Sequence, residues 1–317
     1  VLTPAQLEAR KGKMTSSIVA GALGLNPNMT PLTAHMIVTG KMPPAEQTKA
    51  MDRGNRLEQL VLDYPCDTME LVRKPAPFRA HPKFSWAGDS ADALYLSGDS
   101  LRYAGEGKTV SGGVEKHYGD EGTDDIHPGA LVQSHWHLIH WPEVDTCLVP
   151  VLVGGYTFEF RLYYVRRDVE FEGCLLEDAA KWHRDHVVAD KPPPATDPAK
   201  DIDNLLTLHP THTKGLLEST DEIEFLARGK DEARFFRKEY ADKEEKIKLR
   251  LIELLGDHEG VQGEGWNIRF KQNKNGKPKV DYEAICKSLN VPEDIIAQYT
   301  RTPTGNRPLV VTIKGDK

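Results

Sequence analysis

Glu106, Gly107 and Lys108 form the chemically richest triplet in the sequence, with Asp92 upstream of them. In a strand, residues i and i+2 point to the same face, so the carboxylate and the ammonium would share one side of LRYAGEGKTVS. Two carboxylates from neighbouring strands can hold a hard cation such as Mg²⁺ through oxygen. A lysine beside that ion can stabilise or orient an attacking hydroxide. Charged groups are also unusual between Leu101, Tyr103 and Val110. The alternative is an exposed strand carrying an i,i+2 salt bridge.

Other groups carry two readings each. Arg10, Thr15 and Ser17 lie around a helix start, where unpaired amides and a guanidinium suit a phosphate; the alternative is ordinary surface. His135, His137 and His140 in QSHWHLIH have spacings that can meet a metal. With no acidic or cysteine partner in the pattern, core and helix histidines are the preferred reading. Trp136 and Trp141 read as core. Lys274 and Lys277 belong to KQNKNGKPK, which has four lysines and no acid. That loop is either a solvated hairpin tip or a contact to a DNA backbone.

Three regions would position these groups. Residues 1–64 read as helices: TSSIVAGALG after a cap at Thr15 or Ser16, TPLTAHMIVTG ending at Gly40, and AEQTKAMDRGNRLEQLVLDY. Residues 71–170 read mostly as strands, interrupted by the helix PGALVQSHWHLIHW. The alternating YTFEFRLYYVRR after Gly154-Gly155 predicts a hairpin with DTCLVPVLVGG. A helix near Glu177–Val188 follows, then KPPPATDP with four prolines, read as a linker over 191–198 between a core of 1–190 and a C-terminal region of 199–317. In that region DEARFFRKEYADKEEKIKLRLIELLG has helical spacing, and GWNIRFKQNKNGKPKVDY reads as a hairpin turning at Asn275-Gly276. The order predicts an α/β (α+β) fold, a mixed sheet flanked by helices, with a helix-plus-hairpin appendage.

The 317 residues are 39% hydrophobic and 28% charged, which excludes wholesale disorder and a disulfide scaffold. No run approaches a membrane span, and the first residues lack the apolar stretch of a secretory signal. The four cysteines stand apart with no CxxC pair, which argues against a Cys-based zinc site and fits a reducing compartment. A net charge of −7 leans away from a general nucleic-acid coat. It leaves room for an enzyme with a local basic channel and acidic metal ligands.

The stretch HPKFSWAGDSADAL followed by EGKTVS resembles the YqaJ-type viral recombinase family, the lambda-exonuclease-like phage nucleases. That family shows an HPxYPW…SPDGL segment and then a strand with E-x-K. In register with it are His81, Pro82, Phe84, Trp86 and Ser90-Ala91-Asp92-Ala93-Leu94. The family's R-x-G-x-x-T-x-S appears as Arg10 to Ser17, its LGLSP as Leu23 to Pro27, and its G-x-x-x-E as Gly54 to Glu58. Its glutamine helix appears as Leu131-Val132-Gln133-Ser134, and its C-terminal hairpin and YTKTS…R ending as 265–285, Tyr299 to Thr302 and Arg307. Departures are Ala91, Ala93, Gly107 in place of an aliphatic, and His135 in place of a second glutamine. The gap from Asp92 to Glu106 is longer than a short hairpin and predicts an insertion, SGDSLRYAG.

The resemblance implies a PD-(D/E)xK restriction-endonuclease-like core and a Mg²⁺-dependent 5′–3′ deoxyribonuclease that makes single strand for homologous recombination. It implies Asp92, Glu106 and the Gly107 carbonyl on a principal metal, Glu58 assisting a second ion, and Lys108 with Gln133 orienting the nucleophile. Mn²⁺ is expected to substitute, with two ions per site. Arg10, Ser17 and Thr15 would hold a 5′ phosphate. Implied partners are duplex DNA with 5′-phosphate ends, a single-strand annealing protein and further copies in a ring, in a bacterial host cytoplasm, encoded by a phage or prophage, with no membrane. Two rivals remain at this level: an endonuclease of restriction or repair type, and a catalytically silent DNA-binding module.

Overall fold

The structure is a computed structural model that describes residues 8–42, 49–111, 113–154, 158–211, 214–264, 266–270 and 282–299. Lys274, Lys277, Asn275-Gly276 and the tail after Tyr299 lie outside the described residues. The chain divides into two compact units, residues 1–210 and 211–317. Among the described residues no helix is long and apolar enough to cross a membrane.

Side-chain caps set several helix starts in the first unit. Thr30 accepts the Thr33 amide ahead of α2 (Pro31–Val38), which follows α1 (Ser16–Ala22). Asp168 accepts the amides of Glu170 and Phe171 ahead of α5 (Val169–Trp182). That cap explains why the helix expected near Glu177 begins at Val169 and passes into a π turn, His183–Val188. Between them lie α3 (Lys49–Met69) and α4 (Pro128–His140), the latter with proline in its first turn. Asp197 caps α6 (Pro198–Leu208). Thr30 Oγ1 donates to Asp201 at 2.6 Å and Asn204 donates to Thr33 at 2.8 Å, so α6 is fastened to α2. The proline-rich stretch before it thus lies inside the first unit, and the division falls after Pro210.

The strands are β1 (Val72–Lys74), β2 (Arg79–Ala80), β3 (Gly88–Asp89), β4 (Ala93–Ser97), β5 (Ser100–Gly105), β6 (Lys108–Ser111), β7 (Thr146–Gly154) and β8 (Glu159–Arg166). One mixed sheet runs β1, β4, β5, β7, with β6 following β5 along the same edge of β7 and β8 on its other edge; β2 and β3 form a separate small pair. The β7–β8 pairing is the predicted hairpin. The residues between Asp92 and Glu106 form a hairpin whose register shifts between Tyr95 and Leu96. β4 and β5 pair from Ala93↔Gly105 to Ser97↔Ser100, and the two-residue turn uses Gly98 at φ 59°.

The run Cys147–Val153 is buried throughout, as a central strand covered on both faces requires. It contains Pro150, which has no N–H to give. β5 pairs in parallel with β7 through Gly105↔Leu148, and β6 resumes in the same register at Lys108↔Val151. The ladder is interrupted at Glu106–Gly107, opposite Pro150. The lost bond is worth about 1 kcal/mol. Each fully buried Val or Leu on the same strand contributes about 1.5–3 kcal/mol, so the strand holds. One core cluster joins α4 to the sheet (Leu138 with Val149, Val151 and Tyr163). A second packs α1, α2, α4 and α5 around Trp136, and a third sets Leu62 of α3 beside Tyr95, Leu148 and Leu162.

In the second unit, Thr220 caps a helix that runs from Asp221 to Leu255 (α7), ten residues longer at its start than the spacing predicts. β9 (Gly260–Gly263) pairs antiparallel with β10 (Trp266–Arg269). The strand starting at Trp266 therefore pairs upstream; the turn expected at 275–276 lies outside the described residues. Two short helices follow, α8 (Tyr282–Ser288) and α9 (Glu293–Tyr299).

Candidate active site

The break between β5 and β6 is where the candidate side chains meet. Asp92, just ahead of β4, gives its amide to the Gly105 carbonyl at 3.0 Å and accepts the Gly107 amide on Oδ2 at 3.0 Å. Glu106 gives its amide to Leu148 and turns its carboxylate inward, 4% exposed. Lys108 contacts Glu106 Oε1, as the i,i+2 spacing requires, and donates to Gln133 Oε1 at 2.9 Å. The four residues Asp92, Glu106, Lys108 and Gln133 come from three strand ends and a helix and meet in one place.

Gly107 has a packing reason. A Cβ there would lie 3.0 Å from Leu62 Cδ2 and 3.5 Å from Val61 Cγ1, so α3 occupies the space an aliphatic would need. Glu58, half-buried, is one turn before Leu62 on the same helix face. The HPKFSW segment is a turn: His81 Nδ1 accepts the amides of Lys83 and Phe84, and the indole of Trp136 donates to the Gly88 carbonyl at 3.1 Å. This holds β3, and Asp89 with it, against α4. Trp136 and Trp141 are core residues, 0% and 2% exposed.

The cluster has two further members: Asp89, which the sequence did not single out, and His137, which it read as a core or helix histidine. His137, fully buried, places Nε2 2.6 Å from Glu106 Oε2 and Nδ1 2.7 Å from Asp89 Oδ2. The signal was there: His137 is four residues after Gln133, hence on the same helix face. His135, in place of the second glutamine, points elsewhere, 3.5 Å from Glu172 and against the Phe171 ring. His140 Nδ1 faces the Trp136 carbonyl.

The electrostatics are those of a site short of positive charge. Burial and then the Glu106 carboxylate push Asp92 up to about 7. Burial alone would raise Glu106, yet Lys108 and His137 hold it down at about 2. Burial opposes the charge on Lys108, but Glu106 outweighs it and the lysine sits above its usual range. Burial likewise opposes a charged His137, and Asp89 with Glu106 raises it to about 10. With all these groups ionised, three carboxylates face two cations, and one negative charge lacks a partner. A divalent cation fits that deficit. Among the described residues no three His, Cys, Asp or Glu side chains are grouped to hold a metal. Mg²⁺ does not need three, since one or two carboxylates with waters and substrate phosphates serve it.

At the amino end, the Arg10 guanidinium lies 3.4 Å from Thr15 Oγ1, and Ser17 is half-buried in the first turn of α1. Met14 bridges in parallel to Ala87, next to β3, which ties this segment to the strand that carries Asp89.

A mixed α+β core with Asp92 beside Glu106-Gly107-Lys108 at a strand break is the arrangement expected from the resemblance to PD-(D/E)xK cores. Residues 6–177 match the family described as the YqaJ-like viral recombinase domain, more than half of the chain, and the chain belongs to that family. Similar solved structures include the alkaline exonuclease LHK-Exo from Laribacter hongkongensis (15% identity, 58% of this chain and 92% of that one, TM-score 0.44). LHK-Exo in complex with dAMP gives 16% identity over 64% and 96% of the two chains, TM-score 0.44. SSO0001 gives 11% identity over 54% and 76%, TM-score 0.32. No curated protein matches.

Proposed function

We propose that the chain is a Mg²⁺-dependent deoxyribonuclease that shortens duplex DNA from its 5′ ends and leaves single strand for recombination. The observation that carries this reading is the convergence of Asp92, Glu106, Lys108 and Gln133, in a chain of the YqaJ-like family. Asp92, Glu106 and the Gly107 carbonyl would hold the principal ion and Glu58 a second, with Mn²⁺ able to replace Mg²⁺. Bound there, the ion would neutralise charge on the scissile phosphate and make a nearby water more acidic. Lys108 has three donors; Glu106 and Gln133 take two, and the third would orient the attacking oxygen. A ring of copies and an annealing protein as partner belong to the same proposal.

Linear and closed-circular duplex separate this from an endonuclease: the proposal requires loss of the linear form and an intact circle, and nicking of the circle would contradict it. End recognition is tested separately. Arg10, Thr15 and Ser17 would bind a terminal phosphate, and a charge-assisted hydrogen bond is worth about 1.5–3 kcal/mol. Arg10→Ala should therefore lower the rate on 5′-phosphorylated ends on the order of tenfold, and the rate on 5′-hydroxyl ends much less. If both rates fall together, Arg10 does not read the end.

A further inference from the structure

The contacts of His137 reach beyond the residues that the nuclease reading uses. The side chain is fully buried on α4 and has a carboxylate at each ring nitrogen, Asp89 at 2.7 Å and Glu106 at 2.6 Å. Glu106 in turn is held at both oxygens, Lys108 on one and His137 on the other. Asp89 is itself 0% exposed and sits on β3, whose Gly88 carbonyl takes the Trp136 indole N–H. An ionised carboxylate only accepts hydrogen bonds, so a ring placed between two of them offers an N–H to each. The imidazole thereby spans the gap between β3 and the β5–β6 break and fixes the plane of the Glu106 carboxylate.

We infer that His137, anchored by Asp89, is a positioning residue that sets Glu106 for the reaction. The inference rests on the reading of Glu106 as a metal ligand. Ligating carboxylates are as a rule held by outer partners, and loss of such a partner typically reduces activity about 10–100-fold. Gln133 and Lys108 would touch the nucleophile side of the site; His137 acts through Glu106 alone.

Two amides divide the ring's functions. Asn places its amide nitrogen near the position of Nδ1, where it reaches Asp89 and falls short of Glu106. Gln places it near Nε2, where it reaches Glu106. His137→Asn should lower kcat on linear duplex with Mg²⁺ about 10–100-fold, with KM for DNA changed less than about twofold. His137→Gln should recover most of that loss. A crystal structure of His137→Asn should show the Glu106 carboxylate moved by about 1 Å or more from its place beside Lys108, a displacement large enough for such a loss.

Equal losses in the two variants would overturn the inference, because a merely structural histidine does not distinguish which nitrogen is replaced. So would a Glu106 that stays in place in His137→Asn. If neither variant folds, the isosteric Asp89→Asn decides: lowered kcat at unchanged KM supports the anchor, and wild-type kcat removes it. A wild-type chain without Mg²⁺-dependent cleavage would defeat the nuclease reading instead, and the position of Glu106 would still test the clamp.

Discussion

Lys108→Ala is expected to leave a folded chain that binds duplex DNA and cleaves it about 10²–10⁴-fold more slowly. The side chain donates to Glu106 and Gln133 and holds no metal, so its loss removes the group that would orient the nucleophile while both carboxylates stay. Removing a buried cation beside Glu106 also leaves that carboxylate less well compensated, and His137 remains on its other oxygen to limit the effect. The binding and cleavage readouts should therefore separate: Kd for duplex near the wild-type value, single-turnover rate at the floor of the assay. Turnover within a few-fold of wild type would remove Lys108 from the site.

Asp92→Asn is expected to move activity and stability in opposite directions. The carboxylate is disfavoured by burial and by Glu106, and its pKa stands at about 7 against an ordinary 3.8. Above pH 7 the folded, metal-free chain carries this charge at an energetic disadvantage that the unfolded chain does not have. A neutral amide removes the disadvantage and can still accept the Gly107 amide. The gain is on the order of 1–3 kcal/mol, a rise in Tm of roughly 2–6 °C in metal-free buffer. The sign fixes its pH dependence. Below about pH 4 the carboxyl is protonated in both folded and unfolded chains and the variant gains nothing. The gain grows as pH rises toward 7 and is complete above it. Cleavage should be abolished at every pH, since an amide is a poor ligand for a hard cation. Mg²⁺ should raise the Tm of the wild-type chain and leave the variant's unmoved. A variant that melts below wild type at pH 8 without metal would show that Asp92 is not strained by its neighbours.

The part of the site that was legible in the sequence is the part set by short-range geometry. Glu106 and Lys108 meet because a strand repeats every two residues, and the structure keeps that contact although the strand is split opposite Pro150. Gln133 and Asp92 came from motif order. Asp89 was not singled out and His137 was read only as a core or helix histidine, since neither shows its role until the chain places β3 against α4. Their link spans 48 residues and has no local period to betray it. The form taken by the long stretch between Asp92 and Glu106 was not legible for a different reason: nothing in local spacing distinguishes extra loop from two longer paired strands. The pairing of the Trp266 strand with Gly260–Gly263 was not legible, because that partner is short and glycine-rich, while Asn-Gly is a strong turn signal; the turn expected at 275–276 lies outside the described residues.

The most direct test of the metal-dependent nuclease site is the release of acid-soluble nucleotides from a 5′-phosphorylated linear duplex as Mg²⁺ is added to metal-free protein. The assignment of Asp92, Glu106 and Lys108 predicts no release without the ion, release that rises and saturates with it, and arrest by EDTA that excess Mg²⁺ reverses. An absence of release at any Mg²⁺ or Mn²⁺ concentration, or release that persists in EDTA, would contradict it.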